Sequence, residues 1–129
     1  MKKSILIITF LFIGNLAFSQ SIFEKWPAIG EFHGVMSQTF HPAEEGNLEP
    51  IKTRSAEMLK KAKALLKSDI PDEFRTLKIL SAAERIQIQS QYLHKIVKAK
   101  GSDALITAKI TELHDVFHEI VGLCGSEKH

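Results

Sequence analysis

The sequence predicts an all-α protein, an antiparallel up-down-up-down four-helix bundle, on three observations. Apolar residues recur at alternating steps of three and four in four separate segments, the spacing of a helix that buries one stripe. Proline falls between those segments, Pro27 excepted, and the connections are short, which makes successive helices antiparallel neighbours. No stretch alternates apolar with polar residues as a half-buried strand would.

The chain begins with MKKSILIITFLFIGNLAFSQ, which reads as a secretory leader: Lys2 and Lys3, an apolar run from Ile5 to Ile13, then Ala17-Phe18-Ser19 as a cleavage site. Cleavage between Ser19 and Gln20 leaves residues 20–129 as a single periplasmic or secreted domain. The apolar run is about half the length that spans a bilayer, and no Cys follows the site to take a lipid, so no membrane anchor is expected. Losing Lys2 and Lys3 takes the formal charge from +2 to 0, with 15 basic and 15 acidic residues remaining. Such a chain has no general attraction for nucleic acid or anionic lipid. Cys124 is the one cysteine, so the domain has no internal disulfide. A lone thiol is buried, metal-bound or shared with a second copy in a homodimer, and its place on an apolar seam favours burial.

In the first helix Ile22, Trp26, Ile29, His33, Met36 and Phe40 form the seam, which puts His33 at a core position. Ser21 with Glu24 makes a capping box at its start, or Pro27 opens or kinks it. His41-Pro42 ends it, because the residue before proline avoids helical angles. After the loop PAEEGN, a second seam runs through Leu48, Ile51, Ser55, Met58, Ala62 and Leu65, with lysines 60, 61, 63 and 67 toward water. Ser68-Asp69-Ile70-Pro71 stops the chain and restarts it, so the third helix spans about 71–99 on Phe74, Leu77, Leu80, Ala83, Ile86, Leu93 and Ile96. Gly101 caps its end, and Ser102 or Asp103 starts the fourth helix, whose seam is Ile106, Ile110, Leu113, Phe117, Ile120 and Cys124.

The candidate chemistry lies in the histidines. His114 and His118 are one turn apart and flank the fourth seam, a chelating spacing. If the first and last helices are antiparallel with Ile22 level with Leu123, residue 33 faces about 112, at ~1.5 Å rise per residue. His33, His114 and His118 then approach one volume near the Trp26 end of the core. Three imidazoles make a set that zinc or copper favours, with water, Asp115 or an external ligand completing the shell. The bland reading is a hydrogen-bonded core histidine beside a solvated pair. His41, with Glu44, Glu45 and Glu49 nearby, is either a separate oxygen-rich site or a helix cap, the cap being favoured. His94 and His129 have no constellation and are expected in solvent. Met36 and Met58 read as core filler, Met36 also as a candidate haem or copper(I) ligand.

The order of the helices, the leader and a histidine late in the fourth helix resemble the four-helix family of cytochrome c′ and its soluble b-type relatives. The family's C-x-x-C-H haem motif would fall on His114-Asp115-Val116-Phe117-His118, which keeps the histidine and lacks both cysteines. The resemblance implies a bundle fold and, in place of covalent haem, a non-covalent haem b held by His118 opposite His33 or Met36.

The expected function is therefore binding of a transition metal through His33, His114 and His118, in storage, transfer or sensing, with His41, Glu45 and Asp115 as lesser candidates. An electron carrier with haem b is the alternative, and a cofactor-free interaction or pH-responsive module the third. No enzyme is indicated: no nucleophile-and-base pair, inward carboxylate set or Gly-rich phosphate loop is legible, and His41 with Glu45 is the one pair resembling a di-iron motif.

Overall fold

The computed structural model describes residues 22–125; the predicted leader and its cleavage site, Ser21 and His129 lie outside the described residues. Among the described residues the chain is all-helical, without strands. Its long helices are α1 (Pro27–Glu44), α2 (Glu49–Lys67), α3 (Leu77–Lys98) and α4 (Asp103–Gly125), with a helical turn over 22–25 and a 3-10 turn at Asp72–Phe74. Successive long helices pack on one another, and α1 also packs against α4. None of these helices is long and apolar enough to cross a membrane.

Why the helices begin and end where they do follows from local chemistry. Pro27 occupies the first turn of α1, where its missing N–H costs nothing, so proline opens this helix rather than kinking it. At the other end α1 runs through Pro42 to Glu44, three residues beyond the predicted stop. In the last turn a proline removes one hydrogen bond only, and its carbonyl accepts from Glu45 and Asn47, which closes the end. The third helix starts at Leu77 instead of Pro71, because Asp72–Phe74 spend the intervening residues on a 3-10 turn that drops Phe74 into the core. Thr76 then caps α3 through its side-chain oxygen, which accepts from the Ile79 N–H. Leu77 consequently lies outside the seam at 85% exposure, against expectation. Ser102 caps α4 by accepting from the Leu105 N–H.

The second and fourth seams are buried at every predicted position. The first seam holds at Trp26, Ile29, Met36 and Phe40 and fails at one position, where Phe32 is buried in place of an exposed His33; Val35, Thr39 and Ala43 are buried as well and widen the stripe. A phenyl ring gains more from leaving water than an imidazole does, so the helix turns Phe32 inward and leaves His33 at the rim. Trp26 closes one end of the core, with Nε1 donating to Ser68 Oγ at 2.8 Å and its ring tilted against Phe74.

Cross-helix contacts fix the register. Along α1 and α2, Lys61 pairs with Glu31 and Arg54 with Gln38. Between α3 and α4, Arg85 pairs with Glu119, and Lys109 sits 5.4 Å above the Tyr92 ring. Where α1 meets α4, Phe32 touches Phe117, and Phe40 touches His114.

Candidate functional site

The rim between α1 and α4 carries a cleft of about 240 Å³ lined by His33, Met36, Ser37, His41, His114, Phe117 and His118. Four of the six histidines thus meet on one groove. It runs along α1 from His33 to His41, from the middle of the helix toward its end rather than at the Trp26 end where the sequence placed it. His33, His114 and His118 were predicted to share a volume, and all three line the cleft. His41, read as a separate cap, lines it as well. Glu45 and Asp115 are exposed and are not among the lining residues, and Met36 is buried at its floor.

Aromatic rings hold the imidazoles in place. His114 lies flat on Phe40, centroids 3.8 Å apart and planes 9° from parallel, which leaves the ring's edge directed along the groove. His33 stacks on Phe23 at 5.2 Å and on Phe117 at 5.4 Å, each 9° from parallel. Phe23 belongs to the turn before Pro27, so that turn supplies one of the two rings stacked on His33. His118 stands edge-on to both His114 and Phe117.

His114 and His118 approach each other through their Nε2 atoms, 3.2 Å apart. Two imidazoles at that separation share one proton as an N–H···N bond or direct two lone pairs at one point. The His114 ring is held below the ordinary histidine value, mainly by burial and then by the charge of His118, with Asp115 and Glu44 opposing and His41 adding to the effect. A neutral imidazole is the form that donates a lone pair. The His41 ring is exposed, and its Nδ1 lies 3.5 Å from the Glu44 carboxylate. Among the described residues no three His, Cys, Asp or Glu side chains are already arranged as a complete ligand set.

His94 departs from expectation. It is half-buried, and its Nδ1 lies 2.8 Å from the hydroxyl of buried Ser55, a structural bond between α2 and α3. Cys124 is buried, as predicted. What sequence reasoning missed was the aromatic frame of Phe23, Phe40 and Phe117. A signal was present: Phe immediately precedes His at 32–33, 40–41 and 117–118.

The chain is thus an all-helical protein with a histidine-lined groove between two packed helices. Comparison with protein-family models, curated proteins and solved structures returns no match, so the function is argued from the groove itself.

Proposed function

We propose that this is an exported four-helix-bundle protein that binds a transition metal ion, zinc or copper, at the His114–His118 pair with a further imidazole from α1. Its role is storage, transfer or sensing rather than catalysis. The helices are read as antiparallel in up-down-up-down order. Supporting that order, residue numbers rise on one helix as they fall on its neighbour between Glu31–Lys61 and Gln38–Arg54, between Arg85–Glu119 and Tyr92–Lys109, and between Phe32–Phe117 and Phe40–His114.

One observation carries the metal reading. With metal–nitrogen bonds of roughly 2.0–2.1 Å, two nitrogens 3.2 Å apart subtend an angle of roughly 100° at the ion, close to tetrahedral. The pair therefore has the nitrogen separation of a chelating bite. Haem b through His118 opposite His33 or Met36 has less support. Phe23 sits over Gly30, where a flat ring would need room, and the cleft's 240 Å³ is below the roughly 300–1,000 Å³ of pockets that enclose larger ligands.

The test is elemental analysis, an absorbance scan and thermal unfolding with and without zinc, on untagged protein and on His114→Ala/His118→Ala. Near-stoichiometric metal in the wild type, lost in the double variant, is expected. Zinc at one hundred times its dissociation constant should add about 2.7 kcal/mol of stability to the wild type only. A Soret band would overturn this reading in favour of haem. No metal and no zinc-dependent stabilisation after reconstitution would leave a cofactor-free module.

A further inference from the structure

The groove offers two candidates on α1 for the third ligand, and side-chain direction separates them. Side chains on a helix lean toward its N-terminus. His114 and His118 therefore lean toward the start of α4, which lies beside the end of α1, as the Phe40–His114 stack shows. His41, in the last turn of α1, leans back toward the middle of that helix and hence toward the pair. His33 leans in the same sense, toward the start of α1, which from its place earlier on that helix is away from the pair, and its ring is found stacked with Phe23 and Phe117.

His41 also has the partner that a metal-binding imidazole needs. Ligating histidines commonly present their second nitrogen to a carboxylate, which fixes the tautomer and raises the basicity of the donor nitrogen. Glu44 lies 3.5 Å from His41 Nδ1 on the next turn, so a proton kept on Nδ1 leaves the Nε2 lone pair free. The His41 side chain is 67% exposed, which leaves it free to turn into the groove it already lines.

We propose that His41, oriented by Glu44, is the third protein ligand of a divalent transition metal held by His114 and His118, and that His33 is a packing residue. The inference rests on the metal reading above and refines it. The fourth position faces open solvent and would take water or a ligand from a partner, the pattern of a site with an exchangeable position.

Zinc titrated by calorimetry into untagged protein, with cobalt(II) absorbance reporting coordination number, tests this on His33→Ala, His41→Ala, Glu44→Gln and His114→Ala/His118→Ala. The expected result is that His41→Ala weakens zinc binding by at least tenfold and changes the cobalt spectrum. Glu44→Gln should weaken it by roughly 10–100-fold, the usual effect of losing an orienting carboxylate, and His33→Ala should change it less than twofold. All these side chains are exposed or half-buried, and circular dichroism checks that each variant folds. Zinc lost in the double variant but held within twofold of wild type by His41→Ala overturns the assignment and spares the metal reading. So does a tenfold loss in His33→Ala with His41→Ala unchanged. No zinc binding by wild type overturns both.

Discussion

Two adjacent substitutions at the end of α3 should move stability in opposite directions. Lys100 adopts φ +59°, and its N–H bonds Val97 while the Gly101 N–H bonds Ile96, the double closure of a Schellman cap with lysine where glycine is usual. Holding an L-residue in the left-handed region costs roughly 1–2 kcal/mol. Lys100→Gly removes that cost but gives back part of it as unfolded-chain entropy, for a net gain of roughly 0.5–1 kcal/mol. A Cβ at Gly101 would sit 2.5 Å from Ile96 Cγ2 and 3.3 Å from the Ile96 carbonyl, which is itself the acceptor of the Gly101 bond. Ile96 is buried, so Gly101→Ala overpacks the α3–α4 turn at a cost of roughly 1–3 kcal/mol. The two variants should then differ by about 2 kcal/mol or more, about 8 °C or more in Tm for a chain of this size. Urea unfolding followed by circular dichroism, with equal slopes required, measures both. A destabilised Lys100→Gly or a neutral Gly101→Ala would refute this account of the cap.

Two further predictions concern buried polar groups and acid. Ser90 is buried and its Oγ has no hydrogen-bond partner among the described residues, so Ser90→Ala should stabilise by about 1 kcal/mol from removed desolvation cost and better helix propensity. Ser55→Ala, which strands the half-buried His94 Nδ1, should cost about 1 kcal/mol, and denaturant midpoints separate the two serines. His114 binds its proton less tightly in the folded chain than in the unfolded one. Its contribution is therefore full above the unfolded value of 6.5 and is lost as pH falls below it. Metal-free protein should show a Tm that declines below about pH 6.5, and His114→Gln should flatten that decline.

The sequence reading found four helices because each segment repeats apolar residues at steps of three and four over several turns. It erred where two neighbours competed for one position. On α1 the steps from Ile29 to Met36 pass equally well through Phe32 or His33, and burial of the more apolar ring decides. At residues 71–77 proline suggested a helix start, but Ile70 and Phe74 both had to reach the core, and an extended step with a 3-10 turn delivers them where a continuous helix does not. The site was half legible. The i, i+4 spacing of His114 and His118 follows directly from helix geometry. The place of His41 depends on α1 continuing past Pro42, which the local rule for residues before proline argues against.

Every described histidine follows a buried residue: Phe32, Phe40, Leu93, Leu113 and Phe117 precede His33, His41, His94, His114 and His118. One residue is 100° around a helix, so each imidazole lands at the rim of the stripe its neighbour anchors. Two such rims meet where α1 packs on α4, and the groove results from that meeting rather than from a gap in the core. The core beneath it is built from the buried side chains of Phe32, Met36, Phe40 and Phe117, none of which belongs to the proposed ligand set of His41, His114 and His118. A metal bound there would therefore add stability to a domain already folded, unlike a zinc finger, whose fold is its metal site. Loading and release would leave the helices in place, and that independence is what storage or transfer of an ion requires.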